Sequence, residues 1–165
     1  MSNIVENEKK LSGAEARYLS FTLGHEEYAI PLLSVKEVIA PPEITSVPHT
    51  PPYFLGIMNL RGQVISVIDL RQKMNIKSKD AGEMAIIICD LGSVCLGVMV
   101  DSINAVLNPK PQEISQKPEI HSHKNTEYIT NVYRKDERLI LFLDIAKSLD
   151  VVDHNAIQNA QKKAA

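Results

Sequence analysis

The chain has 165 residues, of which 44% are hydrophobic and only 5% aromatic, a composition typical of a folded globular protein. Its 18 Lys and Arg residues are outnumbered by 20 Asp and Glu residues, so the net charge of −2 lacks the basic excess of nucleic-acid-binding proteins. The start (MSNIVENEKK) has no signal-peptide core, no stretch reaches the roughly 18 apolar residues of a membrane span, and two cysteines are too few for a disulfide scaffold. The sequence therefore predicts a cytoplasmic protein with reduced thiols and no direct membrane insertion.

The first predicted elements are β-strands. Residues 1–13 are polar and are predicted to form a disordered tail. Two strands follow, around Tyr18–Leu23 and Tyr28–Leu32, joined by a Gly-His-Glu-Glu turn. The next segment, Val35–Ile39, has two interpretations: the sequence Ser34-Val35-Lys36-Glu37 fits a helix capping box, whereas the β-branched residues favour a third strand. We predict the strand.

The rest of the first half is predicted to contain one helical turn and two strands. Thr50 is a good helix N-cap residue, and Gly56 lies where a left-handed residue would end a single turn. The strands Ile57–Leu60 and Gln63–Ile68 come next, and Asp69 is expected to cap a last helical turn.

The second half of the chain repeats the first. Residues 21–39 align with residues 89–107 without a gap, and residues 50–74 align with 125–149, so the offset grows from 68 to 75 only within loops. Between them, Glu43-Ile44 and Pro48 align with Glu113-Ile114 and Pro118 at an offset of 70. Three similar blocks in the same order indicate a duplicated unit. The repeat predicts strands at Ala85–Leu91, Val94–Val100, Ile103–Leu107, Val132–Arg134 and Leu139–Leu143, a helical turn between Asn125 and Asn131, and a cap at Asp144.

These elements predict an all-β fold. Five short strands and one helical turn per copy fit a small SH3-like barrel, which leaves no free sheet edge. A copy of about 60–70 residues has a marginal core alone, so we expect two tandem five-stranded SH3-like β-barrels that share a core and leave a docking groove between them. Short helical turns and a short C-terminal helix complete the prediction. The folded domain is predicted over residues 14–150, with approximate subdomains 14–80 and 81–150, and the C-terminal helix or tail over 151–165.

No residue pattern indicates catalysis. The chain contains no P-loop, no Gly-x-Ser-x-Gly and no His-Glu-x-x-His motif. The isolated His121-Ser122-His123 is better explained as a solvated loop than as a metal site, and Cys89 and Cys95 as small hydrophobic residues on neighbouring strands. Asp69 and Asp144 occupy matching cap positions, which explains them better than an acid–base pair does. We therefore predict no enzymatic activity, no cofactor and no metal.

One hairpin turn breaks the repeat. Asn59-Leu60-Arg61-Gly62 corresponds to the ordinary charged turn Arg134-Lys135-Asp136-Glu137. An arginine beside an apolar residue at an exposed bend is typical of a protein-binding hot spot, because its planar fork of donors suits carboxylates and carbonyl groups. An equally good interpretation is that Arg61 pairs within the fold, with Glu37 or Asp69.

Several segments taken together resemble the CheW family of chemotaxis coupling proteins. The resemblance covers about residues 16–150, and the Asn-Leu-Arg-Gly sequence is its most specific part. The matching segments are FTLG at 21–24, EYAIP at 27–31, VKEV at 35–38, GIMNLRG at 56–62, VIDLR at 67–71, GVMVD at 97–101 and EYI at 127–129.

The resemblance implies two SH3-like barrels around a shared core and a scaffold without catalytic activity. The implied partners are the cytoplasmic tips of methyl-accepting chemoreceptors, the regulatory domain of a CheA-type histidine kinase, and other CheW-like domains in arrays beneath the membrane. Receptor or kinase coupling is expected, through the resemblance, at Val35, Glu37, Asn59, Leu60, Arg61, Gly62, Val98 and Val100.

The three valines of that set have two interpretations. A receptor tip is a helical hairpin, so Val35, Val98 and Val100 are expected to line an apolar groove for its ridge, with Glu37 and Arg61 at the rim. Packing within the core explains each valine equally well.

Other functions stay open at this point. An adaptor of another receptor–kinase pathway, such as one for surface motility or development, would have the same features. A tandem-barrel RNA-binding module would need clustered basic residues with exposed aromatic residues, which the composition disfavours. An enzyme would need a pocket of converging polar groups that the sequence does not identify.

Overall fold

The computed structural model describes residues 16–77, 82–116 and 128–164, and the predicted tail over residues 1–13, His121-Ser122-His123 and Asn125 lie outside them. The described residues form eleven strands: β1 (Tyr18–Leu23), β2 (Glu26–Pro31), β3 (Val35–Ile39), β4 (Phe54–Leu60), β5 (Gln63–Asp69), β6 (Ala85–Asp90), β7 (Cys95–Val100), β8 (Ser102–Leu107), β9 (Ile114–Gln116), β10 (Ile129–Lys135) and β11 (Arg138–Leu143). They also form the helices α1 (Leu70–Lys73), α2 (Ile145–Ser148) and α3 (Val151–Ala164), and 3-10 turns at Leu32–Ser34 and Pro111–Glu113.

The strands form two sheets, and each sheet takes strands from both halves of the chain. The six-stranded sheet has the order β8-β1-β2-β11-β10-β9, and the five-stranded sheet has the order β3-β6-β7-β5-β4. The first hairpin of each half therefore completes the sheet of the other half. The predicted all-β, two-unit architecture is confirmed. It differs from two closed barrels, because β9 adds a sixth strand and the end strands of each sheet are not paired with each other in the described part of the chain.

The pairing registers of the two halves are equivalent. Ser66 of β5 lies opposite Leu96 of β7, and their repeat equivalents Leu141 and Tyr28 lie opposite each other on β11 and β2. The β1–β8 and β3–β6 pairs shift register at equivalent positions, and so do β4–β5 and β10–β11. The structure thus confirms the duplication, and an approximate twofold symmetry relates the two halves.

Three hydrophobic clusters stabilise this arrangement. The largest contains buried residues of both sheets and of α3, which confirms that the two units share a core. A second cluster lies within the five-stranded sheet and a third within the six-stranded sheet. Their buried members are Met58, Ile65, Val67, Ile86, Ile88 and Met99 in the second, and Ala29, Tyr133, Ile140 and Phe142 in the third.

The strand prediction for Val35–Ile39 is confirmed, and so are the two aspartate caps. Asp69 accepts hydrogen bonds from the N–H groups of Arg71 at 3.0 Å and Gln72 at 3.4 Å, and Asp144 accepts one from the N–H of Lys147 at 3.1 Å. The capping-box interpretation of residues 34–37 was wrong, because Ser34 donates to the carbonyl of Pro31 and β3 follows directly.

The predicted helical turn after Thr50 is absent from the first half. Thr50 donates its hydroxyl to the carbonyl of Val47, and β4 begins at Phe54. Gly56 and its equivalent Asn131 therefore lie inside strands, in β4 and β10, and not at helix ends. The glycine is needed for a different reason: Thr45 pairs with Ile57 across this point, and a Cβ at Gly56 would lie 2.0 Å from the carbonyl oxygen of Thr45.

We expect Gly56→Ala to lower the free energy of unfolding by more than about 3 kcal/mol, since the backbone must separate from Thr45 and φ is +141°. Gly92→Ala is the matched control, because its φ is +88° and nothing lies within 4 Å of an added Cβ. It should cost only about 1–2 kcal/mol, the usual penalty of a left-handed alanine. Urea unfolding measures both values, and equal losses would show that the close approach is unimportant.

A buried charged cluster attaches the predicted C-terminal helix, which the structure places at Val151–Ala164. The Asp153 carboxylate is 2% exposed and accepts hydrogen bonds from the hydroxyl of Tyr53 and the ammonium of Lys73. Burial alone would raise the pKa of Asp153. The hydrogen bonds from Lys73, Tyr53 and the N–H of Asp150 outweigh burial, so the pKa of Asp153 falls below its usual value. The helix also buries Ala156, Ile157 and Ala160 in the shared core.

Asp153→Asn should lower the free energy of unfolding by about 2–4 kcal/mol at neutral pH, because Lys73, whose side chain is only 12% exposed, loses its buried counter-charge and keeps only the longer contact to Asp150 at 3.9 Å. Asp150→Asn is the control: its side chain is 63% exposed and asparagine still caps the helix, so the loss should stay below about 1 kcal/mol.

The effect of Asp153→Asn should depend on pH. The folded-state pKa of Asp153 is lowered, so its stabilisation is present above the unfolded-state pKa of about 3.9 and is lost as the pH falls through the folded value. The difference between wild type and variant should therefore be constant above about pH 5 and shrink in stronger acid. A difference that persists unchanged in strong acid would contradict the assignment.

Candidate functional site

An exposed ion pair joins the two end strands of the five-stranded sheet. Glu37 lies on β3, at one end of the sheet order, and Arg61 lies in the turn that follows β4, at the other end. The Arg61 guanidinium donates a hydrogen bond of 2.7 Å to the Glu37 carboxylate, and this hydrogen bond raises the pKa of Arg61. The sheet therefore curls until its two edges are bridged by this pair.

This ion pair agrees with one of the two interpretations of Arg61, pairing within the fold, and is compatible with the other, a binding role. Pairing of Arg61 within the fold is confirmed, with Glu37 rather than Asp69 as partner. The Arg61 side chain is nevertheless 74% exposed, and Glu37 is 27% exposed. A partner can thus contact the guanidinium without breaking the internal pair.

The turn itself explains the neighbouring predicted residues. Arg61 and Gly62 both have positive φ angles, 50° and 84°, so they form a two-residue hairpin turn between β4 and β5. The side chain of Asn59 accepts a hydrogen bond of 2.8 Å from the N–H of Gly62, and Leu60 packs against the cluster around Met58. Asn59, Leu60 and Gly62 therefore shape and anchor the turn that presents Arg61.

The three predicted valines occupy different environments. Val35 is half-buried and packs against the shared core from β3. Val98 and Val100 are 1% and 0% exposed, enclosed in the shared core. Their burial favours the core-packing interpretation for Val98 and Val100 and leaves only Val35 near the surface.

An open groove of about 740 Å³ lies between β3 and β8. Val38 and Ile39 line it from β3, and Ser102 and Ile103 line it from β8. Val38 is 40% exposed, and its repeat equivalent Val106 on β8 is 54% exposed. Exposed apolar residues thus lie on β3 and β8, the end strands that the approximate twofold symmetry relates. Sequence reasoning named neither valine as a site residue, although their alignment in the repeat was the available signal.

A second ion cluster was also missed from the sequence. Arg71 contacts Asp101 at 2.6 Å and Asp69 at 3.5 Å, and its guanidinium lies 3.3 Å from the sulfur of Met84. Asp101 also accepts a hydrogen bond of 2.6 Å from the N–H of Gly24. The cluster therefore links the β1–β2 turn, the β7–β8 junction and α1, which come from both halves of the chain.

The remaining chemistry is limited. Cys89 and Cys95 are both free thiols, and burial raises the pKa of Cys89 to about 12. No group of three or more His, Cys, Asp or Glu residues that could hold a metal occurs within residues 16–77, 82–116 and 128–164. Nor does any helix in these ranges have the length and apolar character needed to cross a membrane.

Two interleaved sheets that present an apolar groove and an exposed ion pair are the features of a protein-binding β-module. Comparison with known proteins identifies the family to which this module belongs. The family model described as "CheW-like domain" matches residues 17–153. The chain is 33% identical over 156 residues to the chemotaxis protein CheW of Klebsiella aerogenes, covering 93% of this chain and 94% of that protein.

Other relatives agree with this match. The chain is 32% identical over 135 residues to the chemotaxis protein CheW of Bacillus subtilis, covering 81% of this chain and 86% of that protein. The crystal structure of the scaffolding protein TtCheW from Thermoanaerobacter tengcongensis superimposes with a TM-score of 0.76 at 26% identity, covering 84% of this chain and 95% of that chain. The chain therefore belongs to the CheW-like family of chemotaxis adaptor proteins.

Proposed function

We propose that the chain is a scaffold that couples the cytoplasmic tips of methyl-accepting chemoreceptors to the regulatory domain of a CheA-type histidine kinase. Membership of the CheW-like family supports this role. The observation that carries it is the groove between β3 and β8, which exposes the apolar side chain of Val38 although most large apolar residues of the described chain are buried. In this proposal the protein acts in the cytoplasm, at the receptor array, and without catalysis.

The groove suits a receptor tip. A helical hairpin binds by laying an apolar ridge into an apolar groove, with anchors spaced along one helix face. Val38, Ile39 and Ile103 supply apolar lining to such a groove, and Glu37 lies on the same strand as the first two. A receptor side chain that crosses β3 would thus meet the Glu37–Arg61 pair at the rim.

The edge bridged by Glu37 and Arg61 is proposed as the kinase contact. Arginine at an exposed, rigid turn is a frequent interface anchor, because its donors are presented without loss of backbone entropy. Contacts of this size are individually weak, and binding of other CheW-like domains in an array adds avidity. The scaffold transmits a receptor state to the kinase if its contacts differ between the two states.

Val38→Lys should reduce retention of a receptor cytoplasmic fragment by about tenfold or more, because an apolar anchor that the receptor would cover is replaced by a charge. Val152→Lys is the matched control: Val152 is 57% exposed on α3 and does not line the groove. Both variants should keep their stability within about 0.5 kcal/mol of wild type. Equal binding by the two variants, measured with purified components, would contradict docking at the groove.

Arg61→Ala should weaken retention of the kinase regulatory domain by about tenfold while cooperative unfolding is preserved, because Arg61 lies on an exposed turn. Arg138→Ala is the control, since Arg138 is 60% exposed and pairs with Glu27 at 2.6 Å on the other sheet. The exchanged pair Glu37→Arg with Arg61→Glu separates two explanations. Restored kinase binding in that double variant, or loss of cooperative melting in Arg61→Ala, would show that the pair acts only within the fold.

A pull-down that uses the wild-type chain tests the whole proposal. The CheA-type kinase and the receptor cytoplasmic fragment should be retained together. Retention of neither protein would contradict the proposed function.

A further inference from the structure

The approximate twofold symmetry relates the Arg71 cluster to an open groove built on the equivalent residues of the repeat. The repeat aligns each member of the cluster with one residue of the other half. Arg71 corresponds to Ala146, Asp69 to Asp144, Asp101 to Leu33, and Met84 to Ala16.

In one half the four side chains form an ion cluster. Arg71 contacts Asp101, Asp69 and the Met84 sulfur at 2.6, 3.5 and 3.3 Å, and Asp101 and Met84 also line the groove between β3 and β8. In the other half the four equivalent residues all line one groove of about 900 Å³. Alanine occupies the positions of both Arg71 and Met84 there, so no arginine is paired with the aspartate cap of this groove within residues 16–77, 82–116 and 128–164.

The groove presents an unusual apolar residue. Leu33 takes the place of Asp101 and is 89% exposed, the largest exposure among the large hydrophobic residues of the described chain. Pro31, Leu91 and Ile145 also line the groove, and the stacked rings of Tyr18 and Phe142, with centroids 4.2 Å apart, contribute to its wall.

The aspartates of the groove lack an arginine like the one that accompanies the equivalent aspartate in the other half. Asp144 caps α2 as Asp69 caps α1, but no arginine lies beside it as Arg71 lies beside Asp69. Neither Asp144 nor Asp90, the two carboxylates of the lining, forms an ion pair within residues 16–77, 82–116 and 128–164, and Lys147 is the single basic residue of the lining.

We propose that this surface, the Leu33 groove, docks a segment of a partner protein that inserts an arginine toward Asp144 and covers Leu33 with apolar neighbours. The arginine is inferred because the equivalent aspartate cap, Asp69, is paired with Arg71 in the other half. A protein segment is inferred because a protruding leucine is removed from water only by a partner with apolar surface of its own. The Leu33 groove shares no lining residue with the groove between β3 and β8, so the inference does not depend on the proposed receptor site.

Titration of the full-length, 15N-labelled chain with short peptides tests this site. The probes are acetyl-Leu-Arg-Leu-amide, the same peptide with glutamate in place of arginine, and acetyl-arginine-amide alone. We expect saturable shifts of the amides of Leu33, Leu91 and Ala146 with the arginine peptide, and binding at least about tenfold weaker with either other probe. Val38→Lys should bind the arginine peptide as wild type does, which separates this site from the proposed receptor groove.

Two variants complete the test. Leu33→Asp combined with Ala146→Arg introduces the equivalent of the Arg71–Asp101 ion pair into the Leu33 groove. This double variant should fold and lose peptide binding. Asp144→Asn is the second test, for the case in which the double variant does not fold. It keeps the helix cap but removes the charge, so it should bind the arginine peptide about tenfold more weakly. Absence of saturable shifts, equal binding of the glutamate peptide or of acetyl-arginine-amide, or unchanged binding to a folded variant would overturn the proposal.

Discussion

The structure depends on the parallel pairing of strands from opposite halves of the chain. β7 pairs with β5, and β2 pairs with β11, so the first hairpin of each half is a central part of the other half's sheet. Neither sheet can form from one half alone, because each would lack its two central strands. Backbone groups in a sheet centre need these hydrogen bonds, and the shared core can be completed only when both hairpins have been exchanged.

The exchange also determines where binding surfaces are available. It brings β3 and β8, which follow the exchanged hairpins, to either side of one groove. Because the two halves pair in equivalent registers, each surface on one half has a counterpart on the other, and function must come from the positions where the copies differ. The turn that carries Arg61, which corresponds to an ordinary charged turn, and the Arg71 ion cluster, which corresponds to the Leu33 groove, are two such positions. Duplication of a small β unit has thus produced an approximately symmetric framework with unlike surfaces.

Much of this fold could be predicted from residue patterns, and the failures have physical causes. β-Branched residues and the internal repeat located the strands and the aspartate caps, because these depend on local chemistry. A strand has the same hydrophobic pattern whether it pairs within its own half or with the other half. The residue pattern therefore could not reveal that the hairpins are exchanged. The Asp101–Arg71 contact, which needs that exchange, was therefore missed. Gly56 resembled a helix C-cap because the approach of Thr45 is a tertiary contact. Val98 and Val100 alternate as groove residues would, and only the packing of both sheets shows that they are enclosed.

The central claim is that the surface between β3 and β8 holds a receptor against this scaffold. Methyl cross-saturation NMR measures it most directly, with a protonated receptor cytoplasmic fragment bound to the deuterated, methyl-labelled chain. Saturation should fall on the methyl groups of Val38, Ile39 and Ile103, which line the groove, and spare those of Val152. Saturation confined to other surfaces, or none at a concentration where the two proteins co-elute, would contradict the claim.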